Sequence, residues 1–159
     1  MKKMYYLILI VLFPSCTITK PLLLSYKDYT VEKELSSDKK KNDLFIIANA
    51  WMVESFNNAT NVIQFSDKEE GIIIGRYLIG GTYSPPQVDN RVYAIITIRV
   101  KDNLTKIRIS PQGEAKYYPP NPDNNINFRS SVLTADEVKS LIGSTIDEYQ
   151  AYIMKYKKW

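Results

Sequence analysis

Residues 91–110 read RVYAIITIRVKDNLTKIRIS, and this stretch constrains the fold more than any other. Two alternating runs flank Asp102-Asn103, and both residues tolerate the left-handed backbone that a two-residue hairpin turn needs. Side chains alternate between the faces of a strand. Val92, Ala94, Ile96, Ile98 and Val100 therefore share one face, and Tyr93, Ile95, Thr97, Arg99 and Lys101 share the other. In the second run Thr105, Ile107 and Ile109 oppose Lys106 and Arg108.

Around this hairpin the pattern alternates between two periods. Residues 26–35, YKDYTVEKEL, place Tyr29, Val31 and Leu35 opposite Asp28, Thr30, Glu32 and Glu34, which predicts a half-buried strand. Leu44, Ile47, Ala48, Trp51, Met52, Ser55 and Phe56 recur at three- and four-residue steps, the mark of one helical face. Ser36 or Ser37 suits its N-cap and Asn57-Asn58 its end. NVIQF and GIIIGRYLIG follow as strands joined by the polar turn Ser66 to Glu70 and closed by Gly71. Thr134 and Glu137 form a capping-box pattern. It opens a helix whose face is Val138, Leu141, Ile142, Thr145, Ile146, Tyr149, Tyr152 and Ile153. Gly143 inside it costs about 1 kcal/mol relative to alanine, which points to a close approach to the sheet. The order is strand, helix, four strands, helix, and both helices need the same apolar sheet face to cover.

The N-terminus belongs to a different problem. Met1 to Met4 is basic, and the apolar run Tyr5 to Phe13 has about half the length of a membrane-spanning helix. Such a start describes a secretory signal peptide. Cys16, the only cysteine, follows Ser15 directly. The junction resembles the lipobox of bacterial lipoproteins, in which the cysteine is acylated and becomes the mature N-terminus; Phe13 and Pro14 depart from that motif's usual residues. The competing readings are an ordinary signal peptide with an incidental cysteine and an uncleaved anchor. Lipidation would explain why cysteine is used once, since an exported chain with one thiol forms no internal disulfide. Acyl chains gain about 0.8 kcal/mol per buried methylene, enough in multiple for stable anchoring. The expected organisation is a leader over 1–15, a tether over 16–25 and one α+β domain over 26–159. Lys2 and Lys3 leave with the leader, so 21 basic residues become 19 against 17 acidic ones, a net of +2. That is no charge for a nucleic-acid binder.

Two stretches carry a wider resemblance. ANAWMVESFNNATNVIQFSDKEEGIIIGR combines Trp-x-x-x-x-Phe, a strand, an acidic turn and Gly-x-Ile-x-Gly. In RVYAIITIRVKDNLTKIRIS, Val-Lys-Asp leads into the turn. Together they resemble a bacterial family carrying a domain of unknown function with a TATA-binding-protein-like fold, frequent in Bacteroidetes lipoproteins. The resemblance spans about residues 26–155 and implies a curved antiparallel sheet with two helices on one face. It carries no catalytic residues over.

Chemistry is bounded mainly by absences. Without histidine, a histidine-based serine or cysteine triad is excluded, as are the usual zinc sites. IGRYLIGG lacks the spacing and following helix of a phosphate loop. Asp67, Glu69 and Glu70, or Asp136 and Glu137, are the carboxylate groupings from which glycoside cleavage would have to be built. A solvated turn and a helix-dipole complement account for them more simply. No catalytic residue, metal or cofactor is expected.

The candidate binding residues come from strand parity. If the apolar sets face the helices, Arg76, Tyr93, Arg99, Lys101, Lys106 and Arg108 converge on the open face, where an anionic polymer such as a phosphorylated glycan would fit. The competing reading is a solvated face guarded against edge pairing. A second candidate is loop 111–133, where Tyr117 and Tyr118 precede Pro119-Pro120 and offer rigid apolar surface. The expectation is a non-catalytic binding or scaffolding module for an envelope glycan or protein, lipid-anchored through Cys16 at the outer membrane. The alternative is an envelope enzyme or accessory subunit acting on glycan through unidentified carboxylates. CTITK lacks an acidic run after the cysteine, which favours the periplasmic face.

Overall fold

A computed structural model of the chain describes residues 22–56, 62–81, 83–84, 88–89, 91–117 and 133–156. In chain order these form β1 (Leu22–Ser25), a 3-10 turn (Lys27–Tyr29), β2 (Val31–Ser36), α1 (Lys41–Ser55), β3 (Ile63–Asp67) and β4 (Ile72–Gly80). After them come β5 (Tyr83–Ser84), β6 (Val88–Asp89), β7 (Val92–Lys101), β8 (Leu104–Gln112), β9 (Glu114–Tyr117) and α2 (Ala135–Lys155). Five strands make an antiparallel sheet in the order β2-β8-β7-β4-β3. Two small pairs, β1–β9 and β5–β6, stand apart from it.

The predicted hairpin is present: β7 and β8 pair from Lys101↔Leu104 through Tyr93↔Gln112, with Asn103 at φ 65°. Its apolar parity set is buried, together with Ile73 and Tyr77 of β4 and Leu35 of β2. Both helices cover that face. Leu44, Ile47, Ala48, Trp51 and Met52 of α1 are buried there, as are Val138, Ile142, Ile146, Tyr149 and Ile153 of α2. The helices meet where the Trp51 and Tyr149 rings stand 4.7 Å apart. Phe56, just past α1, packs its ring 4.7 Å from that of Tyr77.

Glycine sets the helix–sheet distance at one point. A Cβ on Gly75 would lie 2.8 Å from the Val62 carbonyl oxygen and inside the reach of Met52 Cε, so only a bare Cα lets α1 settle onto β4. Gly143 does no such thing. A Cβ there meets nothing within 4 Å, and the close approach expected of it does not exist.

Four local expectations change. The strand from Tyr26 begins only at Val31, because Tyr26 leads into the 3-10 turn and buries its ring. Its hydroxyl donates to the Leu133 carbonyl at 2.6 Å, while β2 pairs with β8 only as far as Val31↔Ile109. Two residues on, Pro111 has no N–H with which to lengthen a ladder. The stretch read as tether ends earlier, since Leu22–Ser25 pairs with Glu114–Tyr117; a partner so remote leaves no local trace. For the same reason residues 111–117 are not irregular loop: they finish β8 and form β9 about Gly113, at φ 104°. Finally α1 takes Lys40 as N-cap without a side-chain cap. The hairpin turn supplies the missing acceptor, Asp102 Oδ1 receiving the Lys41 N–H at 2.8 Å. By contrast the Thr134–Glu137 capping box is complete. Residues 1–21, 118–132 and 157–159 lie outside the described residues, and with them Cys16, Tyr118 and both Pro119 and Pro120.

Candidate functional site

The open face is assembled by register. One row crosses all five strands: Phe65 of β3, Ile74 of β4, Thr97 of β7, Arg108 of β8 and Glu32 of β2 are successive cross-strand neighbours. The next row runs Asp67, Ile72, Arg99, Lys106 and Glu34. On the other side Arg76 stands opposite Ile95, and Leu78 opposite Tyr93. All six face residues expected from parity thus lie along three neighbouring strands, with Lys101 at the far end beside the hairpin turn.

They separate into two groups. Arg76 places its guanidinium carbon 4.0 Å over the Tyr93 ring, a cation–π contact worth about 0.5–1 kcal/mol at an exposed site. Arg91 approaches the same ring at 5.8 Å. Arg99, Lys106 and Arg108 instead surround a concavity of about 260 Å³, completed by Glu32, Ile74, Thr97 and Ser110. Within it Lys106 is occupied: Nζ lies 2.7 Å from Glu32 Oε1 and 3.6 Å from Glu34 Oε1. The Glu32 hydrogen bond and charge hold the Lys106 ammonium above its ordinary pKa, with Glu34 adding to them. Arg99 and Arg108 have no ion-pair partner among the described residues. Two guanidinia therefore point donors at one hollow beside the Thr97 and Ser110 hydroxyls, which suits an oxyanion.

Parity did not reveal what else lies on this face. Phe65 and Leu78 are 50 % and 48 % exposed, and Ile72, Ile74 and Ile95 are half-buried. The face is basic toward β8 and apolar toward β3. Phe65 arrives there through a bulge: Ile63 pairs with Gly75 and Phe65 with Ile74, the register shifting between them. Without the extra residue Phe65 would share the helix-covered face with Ile63, so the bulge re-aims the ring. The acids Glu32 and Glu34 were legible as one face of β2, but their meeting with Lys106 depends on a pairing between distant segments.

Other candidates come to less. Tyr117 sits in β9, opposite Leu22 and in a different sheet. Asp67 Oδ1 accepts the Glu70 N–H at 2.9 Å, and Glu137 spends its carboxylate on Thr134. Thr134's hydrogen bonds, from backbone first, hold the Glu137 carboxyl below its ordinary pKa. No group of three or more histidine, cysteine or acidic residues among the described ones is arranged for a metal. A second hollow of about 290 Å³ lies between Leu35–Lys39 and Gln150–Met154, but its charged residues Asp38 and Lys39 face each other at 3.9 Å.

Comparison with known proteins follows the architecture. The family model described as a domain of unknown function (DUF4468) with TBP-like fold matches residues 29–111. A TBP-like protein from Parabacteroides distasonis aligns with a TM-score of 0.57 at 16% identity, over 80% of this chain and 94% of its own. A DUF4468 family protein from Bacteroides ovatus aligns with a TM-score of 0.51 at 18% identity, over 80% and 86%. At such identities the likeness is one of fold. No curated protein matches the chain.

Proposed function

The chain belongs to the family of the domain of unknown function DUF4468 with TBP-like fold, and from that premise we propose that it is a non-catalytic binding module using the uncovered sheet face. The observation that carries this reading is the pair Arg99 and Arg108, two guanidinia without an ion-pair partner among the described residues, lining one concavity with Thr97 and Ser110. Both are exposed, and two unpaired guanidinia converging on one hollow favour an anionic guest; a carboxylate- or phosphate-bearing envelope component is the class that fits. Fold analogy with a DNA-binding protein does not carry function. The small net charge after the leader and the acids Glu32 and Glu34 on the face both speak against a polyanionic duplex.

The setting is part of the proposal. The basic start, the short apolar run and Cys16 after Ser15 support export and acyl anchoring at the periplasmic side of an outer membrane. No helix among the described residues is long and apolar enough to cross a membrane. Two experiments test the reading. Titration with inorganic phosphate, followed by amide shifts of Thr97 and Ser110, is expected to saturate in the wild type and to weaken at least tenfold in Arg99→Gln/Arg108→Gln. Equal affinity in both proteins overturns the site. Acyl labelling and membrane retention are expected to vanish in Cys16→Ala; retention without label overturns the anchor.

A further inference from the structure

We infer that the anionic guest is a single-chain amphiphile, its oxyanion held between Arg99 and Arg108 and its alkyl chain laid across Thr97 and Ile74 to Phe65. This deepens the reading above and rests on it. An inorganic anion needs only the guanidinia and the hydroxyls. It gives no reason for a half-exposed Phe65 and a half-buried Ile74 to continue the same cross-strand row as Arg108.

Three observations give the guest its direction. The row changes character once, from Phe65 and Ile74 through Thr97 to Arg108, over three strand spacings or about 14 Å. Its polar end is closed by Lys106 held between Glu32 and Glu34, so an anion is stopped there. At its apolar end β3 is the sheet edge, so a longer chain runs off past Phe65 without obstruction. The bulge supplies the independent argument. It costs β3 a regular ladder and turns an aromatic ring out of the helix-covered face, which stability alone would oppose.

A bilayer surface is the less suitable occupant. Glu32, Glu34 and Asp67 share this face with the cations, and a plane of phosphates would press against all three carboxylates. A single headgroup in the concavity meets only one of the three, Glu32, whose carboxylate is already paired with Lys106.

The test uses the full chain carrying Cys16→Ala, titrated with butyl, hexyl, octyl and decyl phosphate below their micelle concentrations, with inorganic phosphate as reference. Affinity is expected to rise with chain length by up to about fourfold per methylene, levelling once the chain passes Phe65. Phe65→Ser flattens that slope and leaves inorganic phosphate unchanged, whereas Arg99→Gln/Arg108→Gln weakens every phosphate alike and keeps the slope. Equal affinity for inorganic and decyl phosphate overturns the amphiphile and leaves the oxyanion site standing. Decanol binding as tightly as decyl phosphate overturns the oxyanion site. Capture by phosphatidylglycerol vesicles without binding of monomeric alkyl phosphates replaces the single guest with a membrane surface and overturns the inference.

Discussion

Asp102 Oδ1 accepts the Lys41 backbone N–H at 2.8 Å, so the turn of the central hairpin caps the first helix. The contact is reinforced on both sides: the Ser37 N–H reaches the Asn103 carbonyl at 2.9 Å, and the Asn103 N–H reaches the Lys39 carbonyl at 2.8 Å. Lys40 Nζ lies 3.4 Å from the second carboxylate oxygen. A helix whose own N-cap is a lysine obtains its acceptor from a segment 61 residues away.

This arrangement predicts an acid-sensitive helix terminus. The Lys41 N–H, and to a lesser degree Lys40, hold the Asp102 carboxyl below its ordinary value. A depressed carboxylate contributes stability above the unfolded pKa of about 3.9 and loses it as pH falls through the native value. Asp102→Ala should lower the melting temperature by roughly 2–5 °C at pH 6, and the gap from wild type should close at pH values well below 3.9. Thermal melts across pH 2–7 check this; a gap that stays constant would show that the charge is irrelevant.

Two glycines should respond to alanine with opposite signs. Gly143→Ala removes a helix-interior glycine where a Cβ meets nothing, and it should stabilise by about 0.5–1 kcal/mol. Gly75→Ala drives a methyl against the Val62 carbonyl and Met52 and should destabilise by about 1–3 kcal/mol. Urea unfolding midpoints decide both.

Three buried hydroxyls invite the same operation with different results. Tyr77, Thr105 and Tyr149 bury side-chain oxygens with no partner in bonding geometry. Burial pushes the Tyr77 hydroxyl up to about 12 and that of Tyr149 further still, while neighbouring Thr145 and Thr105 oppose the rise. Removing an unsatisfied hydroxyl is nearly neutral or favourable, so Tyr149→Phe should change stability by about 0 to +1 kcal/mol. Tyr26→Phe loses a made bond to Leu133 and should cost about 0.5–1.5 kcal/mol. Calorimetry on the pair separates the cases.

The acids on the open face should act as a brake on anion binding. Glu32→Gln/Glu34→Gln releases Lys106 to join Arg99 and Arg108, and phosphate affinity should tighten several-fold with a steeper dependence on ionic strength. Isothermal titration at 20 and 200 mM salt measures both; an unchanged affinity would mean that Lys106 does not reach the hollow.

What the sequence disclosed follows the range of the interactions. Alternation in residues 91–110 and the Thr134–Glu137 box are local, and both are present as read. The cap on α1, the β1–β9 pair and the Lys106 triad each join segments more than 60 residues apart, and nothing in a neighbourhood of ten residues encodes them. The candidate site was half legible for the same reason. Parity placed Arg76, Tyr93, Arg99, Lys106 and Arg108 on one face. It could not show that the bulge between Ile63 and Phe65 brings an aromatic to join them, because the bulge exists only against β4.

The position of β2 sets the order in which this fold can form. Strands β3, β4, β7 and β8 join as near neighbours along the chain, so their ladder closes only short loops. By contrast β2 waits for residues 104–109, and loop-closure entropy makes such pairing late and slow. Until that strand arrives, the chain between it and α1 is untethered, and the helix lacks the turn that caps it. A ribosome releasing the chain in order therefore displays the Leu44–Trp51 face with no sheet to cover it. That interval is when a passing chaperone has something to hold.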